Sequence, residues 1–322
     1  MNQKEFTVTA DDGVVLAGTA TIPENPKAII IPVHGSFPQT RDGNLDANAK
    51  WMFPHGVPQR NLFVDIASTV YAESIATYRY DKRASGSSGG SYKETDMDRL
   101  AKDVIAVAKY AKEQHPKAKI VLLGQSEGGL TVLRAHELGY RPDEFFLQGP
   151  SLEPLEVFLE HQKTRAAASF LPADSPQSAN YPYLTAFYRA MYQGDMLAKI
   201  QNTDDVYYTL RLGDWSTVTN LKKYRQYRWN GSEMLKSVKV PVTIVYGQLD
   251  PNVRPEAGEN IARLKEGGKL YQNVEVHILP HLEHSFREVA PGDTFVSVMG
   301  KPVSPAYLDV LRAWAQKLAR NP

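Results

Sequence analysis

One serine of the chain stands in a context suited to a nucleophile. Gly124-Gln125-Ser126-Glu127-Gly128 directly follows the apolar run Ile120-Val121-Leu122-Leu123, and a helical pattern follows it. A serine on a sharp turn between a strand and a helix projects its hydroxyl from the sheet edge. Side chains two residues before and after would clash there, which favours glycine. The helix that opens at the serine also aims N–H groups at the reacting centre. Three fixed positions recur by chance in roughly one chain in ten of this length, so the flanking strand and helix carry the assignment. An inert Gly-rich strand-to-helix turn is the competing reading.

A serine hydroxyl is a poor nucleophile until a base takes its proton. On sheets that carry such a turn, the acid and then the base follow in chain order. Val242 to Gly247 reads as a buried strand and ends on Gln248-Leu249-Asp250-Pro251, which makes Asp250 the candidate acid. The local alternative is a turn aspartate before proline. Val274 to Leu279 is the next strand, and Pro280-His281-Leu282-Glu283-His284-Ser285-Phe286 follows it. His284, deeper in that loop, is preferred over His281 as the base. The spacing of the two histidines suits a metal, but no third ligand cluster or cysteine stands nearby, and neither metal nor cofactor is expected. For the oxyanion, one donor is the backbone N–H of Glu127, next after the serine. The other comes from the loop after Ile29 to Val33, at His34-Gly35-Ser36, with Ser36 or Phe37 supplying it. His34 itself reads as a brace for that loop. The Glu127 carboxylate either tunes the base or pairs with a loop cation such as Arg41.

The elements that must position these groups alternate. Phe6 to Ala10 and Val14 to Thr21 flank Asp11-Asp12-Gly13 as a hairpin. Strands follow at Ala28 to Val33, Ile75 to Tyr80, Lys119 to Leu123 and Glu144 to Leu147. Helices lie at Leu62 to Glu73, from Thr95 and Asp98 (read as a capping box) to His115-Pro116, and at Ser126 to Leu138. A βαβαβ order argues for a parallel sheet with helices on both faces and loops gathered at one edge. His34 to Arg60 is a long loop, of the kind usually functional. From Ser151 to about Lys236 the pattern turns helical and aromatic, with Tyr181, Tyr183, Phe187, Tyr188, Tyr192, Tyr207, Tyr208, Trp215, Tyr224, Tyr227 and Trp229. This segment reads as a helical insertion. Strand–helix alternation then resumes through Glu256 to Leu264 and ends in a helix at Ala306 to Leu318.

With these residues assembled, the chain resembles the α/β-hydrolase superfamily, in particular bacterial esterases close to the serine aminopeptidase-like and monoacylglycerol lipase-like hydrolases. The resemblance rests on His34-Gly35-Ser36 with Arg41-Asp42-Gly43-Asn44, on Tyr80-Asp81-Lys82-Arg83 leading to Gly86-Ser87-Ser88-Gly89-Gly90, on Gly124 to Gly129, on Asp250 and on His284. It implies an eight-stranded, mostly parallel sheet (residues 1–150 and 237–322), a helical cap (151–236) and a Ser-Asp-His triad without cofactor. Related esterases tend to show His-Gly-Ser-Gly-Pro and Lys-Arg-Gly, where this chain has Phe37 and Ala84. Phe37 bears on the oxyanion loop and the acyl pocket.

Hydrolysis of a carboxylic ester or lactone is therefore expected, with Phe37, Tyr181, Tyr188 and Trp215 as candidate substrate contacts, since tyrosines give apolar walls with polar tips. A peptidase of the same fold is the first rival. An aminopeptidase would hold a free amine on cap acids such as Glu153, Glu156, Glu160, Asp204 and Asp205; Asp204, Asp205 and Asp214 otherwise read as capping or surface residues. A non-catalytic binding protein is the second rival, disfavoured because every triad position is filled. The balance of 37 Lys and Arg against 36 Asp and Glu gives no electrostatic pull toward nucleic acid or anionic membrane. No run approaches the roughly 18 apolar residues of a membrane span. The first residues show no apolar leader, so a cytoplasmic protein is expected, with export of a processed form left open. Absence of cysteine excludes disulfides and thiolate chemistry.

Overall fold

The computed structural model describes residues 1–47, 52–53, 56, 59–169, 171–172, 176–226, 230–268, 270–293 and 295–320. The chain runs through β1 (Gln3–Thr9), β2 (Val15–Thr21), β3 (Ala28–Val33), α1 (Leu62–Tyr71), β4 (Ile75–Tyr80), α2 (Met97–Gln114), β5 (Lys119–Gln125), α3 (Glu127–Glu137) and β6 (Glu144–Gln148). Then come α4 (Leu155–Ser169), α5 (Pro176–Asn180), α6 (Pro182–Tyr192), α7 (Met196–Asn202), β7 (Tyr207–Leu212), β8 (Trp215–Asn220), α8 (Leu221–Gln226) and α9 (Gly231–Leu235). It ends with β9 (Val242–Gly247), α10 (Glu256–Glu266), β10 (Val274–Leu279), α11 (Phe295–Met299) and α12 (Pro305–Arg320).

Among the described residues, eight strands form one sheet in the order β1-β2-β4-β3-β5-β6-β9-β10. The first two strands pair antiparallel, β2 pairs antiparallel with β4, and every later neighbour is parallel. This is the α/β-hydrolase fold. The continuous apolar runs follow from burial on both faces. Along β3, Ile29, Ile31 and Val33 join the core under α2 and α3, while Ala28 and Ile30 join the one under α1 and α12. In β5, Leu122 faces the first layer, and Val121 and Leu123 the second. Strands sandwiched in this way end along one edge, which is where ligands bind in parallel α/β sheets.

Two expectations need correction. Helix α2 is capped by Asp96, whose carboxylate accepts the Arg99 N–H at 3.0 Å, whereas the Thr95 hydroxyl turns back to the Ser91 carbonyl. An aspartate one residue nearer the helix is the better-placed acceptor, so the Thr95–Asp98 box does not form. The stretch after Ser151 is also not purely helical. β7 and β8 form an antiparallel hairpin of their own, pairing Leu212 with Trp215 and Tyr207 with Asn220. Its strands are rich in Tyr, Trp and Thr, all strand formers. Gly213, with φ of 57°, and exposed Asp214 make the turn. Asp204 and Asp205 are exposed, and Asp205 pairs with Lys199. Tyr227 and Trp229 lie outside the described residues. Among those described, no helix is long and apolar enough to cross a membrane.

Candidate active site

Ser126 occupies the turn between β5 and α3 with φ of 56° and ψ of −119°, a conformation non-glycine residues rarely adopt. Its N–H donates to the Gln148 carbonyl at 2.8 Å, tying the turn to the end of β6. The flanking glycines are needed for space. A Cβ on Gly128 would stand 2.2 Å from the Val33 carbonyl oxygen, and one on Gly124 would stand 2.6 Å from that of Gly128.

The loops after β9 and β10 bring the next two groups together. His284 Nδ1 lies 2.6 Å from Asp250 Oδ2, with both residues buried. The other oxygen of Asp250 accepts the N–H groups of Asn252 and Val253 at 2.7 and 3.0 Å, which fixes the carboxylate plane. The loop carrying His284 is stapled from within. Glu283 accepts the Ser285 N–H at 2.7 Å, and the Arg287 guanidinium donates to the carbonyls of Ser285, Lys301 and Arg60. His281 is exposed, and its carbonyl accepts the Val289 N–H.

Ser126 and His284 open on a cavity of about 520 Å³, together with Gly35, Ser36 and Glu127. Phe37 and Tyr188 line it too, whereas Tyr181 and Trp215 do not. Trp215 instead packs on Tyr183 with ring centroids 4.6 Å apart, and Tyr181 packs edge-on against Phe53. The wall that β8 gives the cavity comes from Ser216 to Asn220, one step past that tryptophan.

His34 is buried and gives its Nε2–H to the Thr40 carbonyl at 3.1 Å. Burial, reinforced by the nearby Lys82 ammonium, pushes its pKa down to about 3, so the ring is neutral. It packs against Phe63 and Tyr80, bracing the loop. Phe37 and Ala84 both have positive φ, 69° and 60°. These are the two positions where the resemblance leads one to expect glycine, so the side chains here sit in backbone that glycine would adopt without strain.

The most heavily charged part of the site surrounds Glu127. Its carboxylate is 1% exposed and lies 2.8 Å from Lys82 Nζ and 2.7 Å from Lys223 Nζ. Arg41 belongs to a different group: it pairs with Asp81 at 2.8 Å and with Glu5. Burial alone would raise the Glu127 pKa, but the Lys223 and Lys82 ammoniums outweigh it and hold the group down to about 2. Burial and the neighbouring Lys223 pull Lys82 down to about 8 despite Glu127. Lys223 is also buried, yet Glu127 holds it above the ordinary lysine range. Lys82 donates in addition to the Gly35 carbonyl at 2.7 Å. The Tyr92 hydroxyl lies 3.5 Å from Lys223 Nζ and accepts the Phe37 N–H. Asp81, Lys82 and Arg83 are thus three consecutive buried charges, with Arg83 bound to Asp103 and Asp12. The Lys82-Arg83 pair was visible in the sequence as a point of resemblance. Lys223 and Tyr92 carried no local signal at all.

Residues 48–287 match the protein family described as Serine aminopeptidase, S33. No functionally curated protein matches the chain by sequence. Among solved structures, Est1E from Butyrivibrio proteoclasticus with ferulic acid bound is similar at 16% identity and a TM-score of 0.61, over 98% of this chain and 100% of that one. An esterase from Pyrococcus furiosus is similar at 18% identity and a TM-score of 0.59, over 99% and 89% of the two chains. The α/β hydrolase GrgF from a Penicillium species is similar at 17% identity and a TM-score of 0.59, over 99% of each. At such identities the likeness is one of fold.

Proposed function

This chain belongs to the serine aminopeptidase, S33, family of α/β hydrolases, and from that premise we propose that it is a serine esterase, hydrolysing a carboxylic ester or lactone through an acyl-enzyme. The observation that carries the proposal is the meeting of the strained Ser126 turn and the 2.6 Å His284–Asp250 pair at one cavity. His284 takes the proton of Ser126 Oγ through its second ring nitrogen as Oγ attacks the carbonyl carbon. Asp250 holds the tautomer that makes this possible and steadies the imidazolium. The N–H groups of Glu127 and Ser36 receive the oxyanion. His284 then protonates the departing alkoxide, and a water activated in the same way releases the acid. In this scheme residues 151–236 act as the cap over the site, with residues 1–150 and 237–322 as the core.

An ester is favoured over an aminoacyl substrate by the charges at the cavity. The carboxylates that line it, among the described residues, are Glu127 and Glu283. The first is bound to two lysines and the second to the N–H groups of Ser285 and Arg287. Of the cap acids that could have held an amine, Glu153, Glu156, Glu160, Asp204 and Asp205, none lines the cavity. Apolar walls from Phe37, Phe158, Leu184, Phe187, Tyr188 and Met191 suit a sizeable apolar or aromatic acyl or alcohol group.

The test is a panel of p-nitrophenyl esters, aryl esters such as methyl ferulate, lactones and aminoacyl anilides, run beside labelling with a fluorophosphonate. Esters turned over, anilides left intact and label on Ser126 are the expected outcome. Ser126→Ala should lose about 10⁶-fold in kcat and keep its melting temperature. Anilides cleaved faster than esters, or a Ser126→Ala variant with substantial activity, would sink the proposal.

A further inference from the structure

We infer that Lys82 is a positioning residue: anchored on Glu127, it holds the Gly35–Ser36 peptide so that the Ser36 N–H faces Ser126. The inference rests on the esterase proposal above and extends it to a residue that touches no substrate.

A trans peptide points its C=O and N–H in opposite directions within one rigid plane. The chain holds no cis peptide bond among the described residues. Whatever grips the Gly35 oxygen therefore decides which way the Ser36 N–H points. Lys82 Nζ grips that oxygen at 2.7 Å. Lys82 is buried, 2% exposed, and does not line the cavity, whereas Gly35, Ser36 and Ser126 do. The oxygen is thus held on the buried side, and the N–H of the same peptide points the opposite way, toward the cavity. The preceding peptide is fixed as well, since the Gly35 N–H donates to Gln125 Oε1 at 3.1 Å. The loop is pressed against the nucleophile. A Cβ on Gly35 would stand 2.7 Å from Gln125 Oε1 and 3.1 Å from Ser126 Cβ.

Without the ammonium, rotating the peptide would cost little more than the change in two adjacent dihedrals. The rotated form would present a carbonyl oxygen to the developing oxyanion, so an ion-strength grip is warranted. The charge needed for that grip has to be stabilised in a dry environment. Glu127 does so at 2.8 Å, and Lys223, reaching over from α8, occupies its other oxygen at 2.7 Å. The residue whose backbone N–H is the first oxyanion donor thus uses its side chain to secure the residue that aims the second.

The experiment compares Lys82→Met and Lys82→Arg with the wild type. Active sites are titrated by the burst of p-nitrophenol, and kcat per site and KM are measured. The inhibition constant of a trifluoromethyl ketone, which forms a tetrahedral adduct with its oxyanion in the hole, is measured alongside. Lys82→Met should lose about 100-fold or more in kcat per site and a similar factor in ketone affinity, with KM within about threefold. Lys82→Arg should fall between, about tenfold below wild type. A merely structural lysine would lower the melting temperature and the number of titratable sites but leave kcat per site and ketone affinity at wild-type values, and that result overturns the inference. Should Lys82→Met fail to fold, Lys82→Arg decides alone, because it keeps the buried charge: wild-type values for both quantities overturn the inference. A wild type that takes no fluorophosphonate label overturns the esterase proposal along with it, whereas a labelled wild type with unaffected Lys82 variants overturns only this one.

Discussion

On the side of the site proposed to supply the base, one carboxylate faces one imidazole: Asp250 Oδ2 lies 2.6 Å from His284 Nδ1, and the remaining oxygen of Asp250 is taken up by N–H groups of its own loop. On the side proposed to receive the oxyanion, the Glu127 carboxylate joins two ammoniums, and these reach on to the Gly35 carbonyl and the Tyr92 hydroxyl. The difference follows from what has to be aimed. A histidine ring is aimed by one hydrogen bond to a ring nitrogen, because its loop already fixes the rest. A backbone N–H can be aimed only through the other atom of its own peptide. A charged group brought in to do that must itself be neutralised away from water.

The contrast can be broken in several ways. Asp250→Asn should cost about 10⁴-fold in kcat/KM, because an amide cannot hold the required tautomer. It should change the free energy of unfolding by less than about 1 kcal/mol, since the amide oxygen can still accept from Asn252 and Val253. Ester kinetics beside urea unfolding check both halves of that statement. Glu127→Gln should show the opposite emphasis. It leaves two buried ammoniums without their counter-charge and should destabilise the fold by about 3–5 kcal/mol. If Glu127→Gln unfolds at the wild-type urea midpoint, the oxyanion side is not held by charge.

Acid should weaken the Glu127 cluster as well. The Glu127 pKa is depressed in the folded protein, from an ordinary 4.5 to about 2. The unfolded chain therefore takes up the proton first, and the stability this group contributes is present above pH 4.5 and is lost as the pH falls toward about 2. Melting temperatures measured across that window should fall more steeply for the wild type than for Glu127→Gln. Parallel curves would remove Glu127 from the acid response. The smallest effect belongs to His281→Ala. The residue is exposed and its ring bonds to nothing among the described residues, so kcat/KM should stay within about twofold. A large loss would move the base from His284 to His281.

The parts of the molecule that could be read ahead of its structure are those whose signal is local. The boundaries of β3, β4 and β10 coincide with the strands expected from the sequence, and the Ser126 turn lies inside five consecutive residues. Asp250 and His284 were placed by chain order alone, each on the loop after a strand. The β7–β8 hairpin is masked in the sequence because its tyrosines and threonines fall within an aromatic stretch of helical pattern, although Gly213-Asp214 is the turn signal that marks it. Residue type alone suggests Tyr181 and Trp215 as substrate contacts, and neither lines the cavity. Which face of a helix or strand looks into the cavity depends on packing that composition does not encode.

By itself the sequence determined the order of strands and helices outside residues 151–236 and the strained turn of Ser126, because each depends on neighbours a few residues apart, and it put Asp250 and His284 on the loops after two later strands. Only the tertiary structure decided what Glu127 does. Its partners come from the loop after β4 and from α8, far apart along the chain, and an ion pair in the interior forms wherever folding brings opposite charges out of water together. That placement binds a glutamate with two open roles to two lysines and makes it the anchor we propose for the loop at Gly35.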